Sequence, residues 1–160
     1  MSTSQQLQFK LYPDSSAMLP INQIAEVIKP RLAQITPIPQ MPSWVMGVYN
    51  WRGNILWMLD LGQLVGLDSW YRHQHDRVAH GAIVFSPNRE AKSEDRIYLG
   101  LAVAGVEDLE QCEPSAIQAP NNISNSRLAS FLRGYWLKPS GEMVLALDGQ
   151  AIAAAMTMSY

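Results

Sequence analysis

Short apolar runs separated by turn-forming residues are the feature of this sequence that most limits its fold. Leu7, Phe9 and Leu11 alternate with polar residues, which is the period of a half-buried strand. Residues 35–39 include two prolines, which remove backbone donors and favour extended geometry, so we expect an extended connection there. The chain offers about ten such runs and few helical patterns. They predict an all-β fold whose strands close into small barrels and leave few exposed edges.

The clearest local prediction is a hairpin between residues 45–49 and 55–59. The five residues between these strands include Gly53 and two asparagines, and Gly53 with either asparagine can supply the positive φ angles of a tight turn. A short helix is expected from Asp60 to Val65. Residues 149–157 are expected to form a C-terminal helix, because the alanine-rich segment within them has high helix propensity. The spacing over residues 18–28 fits either a strand or a helical turn.

Composition excludes several classes of function. The 160 residues carry a formal charge of -2 and no Lys/Arg cluster that could neutralise a row of phosphates, so nucleic acid is not an expected partner. Cys112 is the only cysteine, which excludes an internal disulfide and a cysteine-based zinc site. The first residues lack the pattern of a signal peptide, and no apolar run approaches the ~20 residues of a spanning helix. We therefore expect a cytoplasmic protein with no direct membrane insertion.

Residues with catalytic or metal-binding potential are few. His73, His75 and His80 are the only histidines, and an H-x-H pair can face a metal, but a solvated loop is the more ordinary interpretation. No nucleophile elbow is present. Four acids lie close together, and we interpret them as a solvated strand face and not as an acid–base pair or cation site: Glu107, Asp108, Glu110 and Glu113. The sequence therefore predicts no catalytic residue, no metal and no cofactor.

An ordered set of motifs carries more information than any single residue. The set is L-P-I-x-x-I-x-E-V-I over residues 19–28, I-T-P-I-P over 35–39, G-V-x-N-W-R-G-N-I over 47–55 and L-D-L over 59–61. In this order and spacing it resembles the CheW family of chemotaxis scaffold proteins. A fainter likeness continues through residues 100–106 and 143–148.

The resemblance implies one CheW-like domain over residues 1–160, built as two intertwined five-stranded SH3-like β-barrels with short helices. The first barrel would comprise about residues 12–77. The second would comprise about 78–150 and be completed by the first strand, 7–11. The C-terminal helix would occupy about residues 149–157.

The resemblance also implies a non-enzymatic adaptor that couples a chemoreceptor or photoreceptor to a histidine kinase. The implied partners are the regulatory domain of a CheA-type kinase and the cytoplasmic tip of a methyl-accepting receptor, which would recruit the adaptor to membrane receptor arrays. A response regulator is a further candidate partner. The alternative function is a divergent CheW-like domain that binds a response regulator or acts as a ligand- or metal-responsive sensor through residues 73–80.

Seven residues are candidate partner contacts. Six carry over from the family pattern and Trp51 is added by its own chemistry, giving the set Ile24, Glu26, Gly47, Trp51, Arg52, Gly100 and Val106. Arg52 at the hairpin tip presents a planar fork of donors to a carboxylate, or it ties its own turn together. Glu26 is a lone charge in an apolar strand and is the best candidate for an exposed contact. Ile24 and Val106 fit ordinary core positions equally well.

Four positions depart from the family pattern. Trp51 replaces the usual leucine and Trp57 a proline, which adds apolar area beside the presumed contact surface. Ala104 stands where the family usually has aspartate, which puts a contact at that second-barrel strand in doubt, and Pro20 stands where the family often has aspartate. The tryptophan-rich style is similar to that of cyanobacterial PixI-type scaffolds of phototaxis.

Overall fold

A computed structural model describes residues 4–67, 81–120 and 124–157. Strands dominate this part of the chain, and the helices are short, as the sequence predicts. The strands are β1 Ser4–Leu11, β2 Ser15–Pro20, β3 Ile24–Ile28, β4 Val45–Trp51, β5 Asn54–Asp60, β6 Ala82–Phe85, β7 Leu99–Ala102, β8 Gly105–Cys112, β9 Ile117–Gln118, β10 Leu132–Leu137 and β11 Met143–Leu147. The helices are α1 Leu61–Leu64, α2 Ser126–Ala129 and α3 Gly149–Thr157.

The strands form two sheets. The six-stranded sheet has the order β8-β1-β2-β11-β10-β9, and the five-stranded sheet has the order β3-β6-β7-β5-β4. Most neighbours are antiparallel, but β2 pairs with β11 and β5 pairs with β7 in parallel. Each parallel pair joins strands that are distant in sequence, so the two halves of the chain are interleaved within each sheet.

The exchange between the two halves is larger than the sequence predicts. Only residues 7–11 are expected to cross into the second half, whereas both β1 and β2 pair with strands of that half. The reason is local, because β1 and β2 form a tight hairpin and β2 must follow β1 into the same sheet. In the other direction, β6 and β7 pair with strands of the first half, so the sheets do not divide at residues 77 and 78.

In the described residues, three apolar clusters cover the faces of the two sheets. The largest lies between the two sheets and includes Phe9, Leu19, Phe85 and Leu101. A second cluster covers the opposite face of the five-stranded sheet, and a third covers the opposite face of the six-stranded sheet. Both faces of β1 are therefore covered, and Gln8 is only 4% exposed, although the alternating pattern predicts a strand with one solvated face.

The short helices lie close to the predicted positions. Asp60 caps α1, its Oδ1 accepting from the Gln63 backbone N–H at 3.4 Å. Gly66 follows with a φ of 92°, which is the left-handed conformation that ends a helix. The C-terminal helix α3 packs Ile152 and Met156 into the core between the sheets. Within the described ranges, no helix combines the length and apolarity that a bilayer crossing requires.

Candidate interaction site at the β4–β5 hairpin

The hairpin predicted from the sequence ends in a two-residue turn. Trp51 pairs with Asn54, so only Arg52 and Gly53 remain in the loop. Their φ angles are 53° and 80°, which suit the right-handed twist of a tight hairpin. The sequence assigns the second positive φ to an asparagine, but this register gives it to Arg52, while Asn50 accepts a bond from the Gly53 N–H at 2.9 Å.

Three of the predicted contact residues meet at this turn and a fourth residue joins them. Arg52 Nη2 lies 2.8 Å from Glu26 Oε1, and Trp51 Nε1 donates to the same oxygen at 3.0 Å. The Arg52 guanidinium lies 5.1 Å from the Trp51 ring centroid. Tyr98 also packs against Trp51, with its ring centroid 5.1 Å from that of Trp51 and the ring planes at 49°. We call Glu26, Trp51, Arg52 and Tyr98 the hairpin cluster.

The hairpin cluster joins strands that are not neighbours. Glu26 is in β3 and Trp51 is in β4, and these are the two opposite edges of the five-stranded sheet. Their contact shows that the sheet curls until its edges approach each other. Tyr98 precedes β7 directly, and no sequence pattern relates it to the hairpin, so sequence reasoning missed it.

The charged side chains of the hairpin cluster are accessible, and the contacts that hold them together are weak. The Arg52 side chain is 68% exposed and that of Glu26 is 35% exposed. An ion pair at such exposure contributes roughly 0–1 kcal/mol, and a cation–π contact at an exposed site about 0.5–1 kcal/mol. Arg52 does not simply tie its own turn together, because its partner is on another strand. The guanidinium can exchange Glu26 for an outside carboxylate at small cost.

Gly47 has a structural explanation. Its φ is 141°, and a Cβ there would overlap the carbonyl of Thr36. Thr36 and Val48 exchange two backbone hydrogen bonds, of 2.8 and 2.9 Å, so the proline-rich connection lies directly against β4. The close backbone approach expected of this glycine is therefore made within the chain itself.

Ile24, Gly100 and Val106 make none of the contacts described above for the hairpin cluster. Ile24 is buried in the core between the sheets, and Gly100 is buried in β7, where a Cβ would overlap Met58 Sδ. Val106 is half-buried in β8, in the other sheet, and lies over Gly81. The structure thus brings together Glu26, Trp51 and Arg52, and the other three are not part of that group.

The positions that depart from the family pattern differ in what they contact. Trp57 is half-buried and packs against the core between the sheets, so only part of its ring can add to the exposed surface. Ala104 packs against the second cluster and donates its backbone N–H to the Lys10 carbonyl at 2.9 Å. Trp51 alone of the two tryptophans takes part in the hairpin cluster.

A second polar network lies on the six-stranded sheet. Gln8 Nε2 donates to Glu107 at 3.0 Å, and Lys138 Nζ donates to Gln8 Oε1 at 3.3 Å. The Ser16 hydroxyl donates to Glu142 at 2.5 Å, and this bond is the main cause of the lowered pKa of Glu142. Gln8 and the nearby lysines lower it further. The network satisfies polar groups between β1, β2, β8 and the β10–β11 turn.

Among the residues that the structure describes, the acids considered for metal chemistry form no metal-binding group. Glu107 accepts from Gln8, and Glu110 lies 3.4 Å from Lys138, so two of the four acids have partners within the chain. In residues 4–67, 81–120 and 124–157, no group of three or more His, Cys, Asp or Glu side chains is placed to hold a metal ion. His73, His75 and His80 lie outside the described residues.

The described part of the chain thus consists of two interleaved sheets with an accessible polar and aromatic cluster at one hairpin. The profile of the CheW-like domain family matches residues 5–156. The chain therefore belongs to the CheW-like family, as the motifs predict. The prediction that it is not an enzyme is also confirmed, because the members of this family are non-enzymatic adaptors.

Individual relatives agree with this assignment. A chemotaxis protein CheW from Rhizobium meliloti (strain 1021) is 31% identical over 117 residues, which are 73% of this chain and 63% of that protein. One from Helicobacter pylori (strain ATCC 700392 / 26695) is 33% identical over 64 residues, which are 40% of this chain and 38% of that protein. The matches thus span less than two thirds of these relatives. The scaffolding protein TtCheW from Thermoanaerobacter tengcongensis shares the fold, with a TM-score of 0.72 at 21% identity over 92% of this chain and 90% of that one.

Proposed function

We propose that this chain is a cytoplasmic adaptor that couples a chemoreceptor or photoreceptor to a CheA-type histidine kinase. Its partners would be the regulatory domain of the kinase and the cytoplasmic tip of the receptor, with recruitment to membrane receptor arrays through the latter. The observation that carries the proposal is the hairpin cluster, in which Glu26, Trp51 and Arg52 meet at an accessible turn. Membership of the CheW-like family supports it.

The proposed mechanism is geometric. An adaptor that binds two proteins through different faces raises the effective concentration of each near the other. It also couples their conformational equilibria when each partner prefers one arrangement of the complex. Interfaces of this transient kind bury about 1,200 Å² or less in total, which a hairpin tip and its neighbours can supply.

Arg52→Glu is the direct test. The variant reverses the charge that faces a partner carboxylate and leaves the core untouched, so we expect about a tenfold or larger rise in Kd for the kinase regulatory domain or the receptor tip. The thermal midpoint should stay within about 3 °C of the wild type, because the lost pair is a surface ion pair. Isothermal titration and thermal unfolding measure the two quantities.

Lys29→Glu is the matched control. Lys29 is an exposed cation just after β3, so its reversal changes the net charge equally without altering the hairpin cluster. Binding by this variant should equal that of the wild type. If the wild-type chain binds neither partner, or if Arg52→Glu lowers stability and affinity in parallel, the proposal is wrong.

Arg52→Asn separates the guanidinium from the turn. Asparagine adopts positive φ readily and is favoured before glycine in such hairpins, so the turn should persist. Affinity should still fall, because the planar fork of donors is gone. Retained affinity in Arg52→Asn would mean that the turn shape, and not the guanidinium, is recognised.

A further inference from the structure

A cleft of about 400 Å³ lies beside the hairpin cluster. Its walls are the β4–β5 hairpin and the loop that precedes β7. Trp51, Ile55 and Tyr98 supply its apolar surface, while Asn54, Glu94 and Arg96 lie around them. The cleft therefore begins where the hairpin cluster ends, since Trp51 and Tyr98 belong to both.

Ile55 is exposed beyond what the fold requires. It is 69% exposed, the largest fraction among the large apolar side chains in the described part of the protein. Asn54 and Ile55 at the hairpin end of β5 are exposed, whereas the residues that follow are buried or half-buried. The exposure of Ile55 therefore follows from its place near the turn, but an apolar side chain is not needed there. Exposed apolar surface rimmed by polar groups is typical of a site that binds another protein.

The charge next to the cleft indicates what the partner carries. Arg52 adjoins Trp51, is 68% exposed and holds Glu26 only through a surface ion pair. A carboxylate on the partner can therefore take the guanidinium from Glu26. Glu26 Oε1 would keep the bond from Trp51 Nε1, so the exchange leaves no buried acceptor unpaired.

We propose that this cleft receives an apolar side chain of a partner protein that lies next to a carboxylate, with the apolar group on Ile55, Trp51 and Tyr98 and the carboxylate on Arg52. The proposal rests on the adaptor function above and names the chemistry of its partner. It also assigns Ile55 and Tyr98, which the motifs do not single out, to the interaction surface.

The test uses whichever of the two proposed partners Arg52→Glu weakens. Ile55→Ser removes the apolar surface without adding charge, and we expect its Kd to rise about tenfold, as loss of a buried aliphatic side chain predicts. Thermal unfolding should be unchanged because the residue is exposed. Leu137→Ser is the matched control, since Leu137 is 54% exposed on a strand of the other sheet, and it should bind like the wild type.

Salt dependence tests the carboxylate separately. Pairing between Arg52 and a partner carboxylate weakens as salt rises, so the Kd of the wild type and of Ile55→Ser should increase with salt. In Arg52→Asn this increase should be smaller. Equal slopes for all three chains would overturn the assignment of a carboxylate.

The outcomes distinguish the two proposals. If no partner binds the wild type, the adaptor function fails. If a partner binds and Arg52→Glu weakens it, but Ile55→Ser binds like the wild type, the adaptor function stands and the cleft assignment is wrong. If Leu137→Ser weakens binding as much as Ile55→Ser does, the effect is a general loss of apolar surface and the cleft is again not the site.

Discussion

Gly47→Ala should destabilise the protein strongly, although the family resemblance treats Gly47 as a partner contact. The new Cβ faces two obstacles, a φ of 141° and the carbonyl of Thr36. Backbone held in a sparsely populated region costs about 1–3 kcal/mol. Relieving the overlap requires the connection to move away from β4, which breaks the two bonds between Thr36 and Val48 at roughly 1 kcal/mol each. The unfolding free energy should therefore fall by about 3–5 kcal/mol.

Gly53→Ala is the matched control for this prediction. Gly53 also has a positive φ, 80°, but a Cβ there has nothing within 4 Å. Only the backbone strain remains, so the loss should be about 1–2 kcal/mol. Urea unfolding followed by tryptophan fluorescence measures both variants, with an unchanged m-value expected for each. If Gly47→Ala lies within 1 kcal/mol of Gly53→Ala, on the scale of these strain terms, the close approach of Thr36 is not the cause and the reasoning fails.

Three further predictions concern stability and reactivity. The pKa of Glu142 is lowered, chiefly by the Ser16 hydroxyl, so its contribution to folding stability is present above the ordinary value of 4.5 and is lost as the pH falls through the lowered pKa. Glu142→Gln should therefore flatten the acid limb of a profile of unfolding free energy against pH. An unchanged acid limb would contradict this prediction. The Asn125 side chain caps α2 and donates to the Gly66 carbonyl at 3.0 Å. Asn125→Ala should therefore lower the unfolding free energy in urea by about 1–2 kcal/mol, and Asn125→Asp by less, because aspartate keeps the cap. Equal losses in the two variants would exclude the capping role. Burial raises the pKa of Cys112, so its thiol should react slowly with a disulfide reagent in the native protein and rapidly in urea. A fast reaction in the native protein would contradict this and would show that β8 opens.

The sequence predicts local features of this fold better than distant pairings. The hairpin is visible because Gly53 lies between two alternating runs, and the C-terminal helix is visible from its alanines. The sequence assigns the second positive φ of the turn to an asparagine, and this prediction is wrong because the position depends on the register of β4 against β5. That register is set by the pairing of Trp51 with Asn54 across the turn. The sequence does not predict the burial of Gln8, for a related reason. Its burial requires a second layer over the outer face of β1, and alternation along one strand cannot report such a layer.

The sequence likewise predicts the neighbouring residues of the candidate site better than the contacts between distant ones. Arg52 and Trp51 are adjacent and can be recognised together, whereas their contact with Glu26 depends on the curl of a five-stranded sheet. Tyr98 is a single aromatic residue at a strand start, and its relation to the hairpin comes from the parallel pairing of β5 with β7. Motif similarity placed Gly47 and Gly100 in the site. Gly47 lies against the backbone carbonyl of Thr36, which explains the need for glycine there, whereas Gly100 lies against the side-chain ends of Met58 and Leu56.

The position of the hairpin cluster would allow the proposed partner binding to be separated from stability. The two edges of the five-stranded sheet approach at Glu26, and an open edge there would invite pairing with another chain. Two donors hold the Glu26 carboxylate, but they differ in exposure, because Trp51 is half-buried in the second apolar cluster and Arg52 is mostly in solvent. The inner donor can keep the edges together while the outer donor turns to a partner. A surface built this way can lose Arg52 without losing its fold, whereas loss of Gly47 removes the backbone contact on which the same sheet depends.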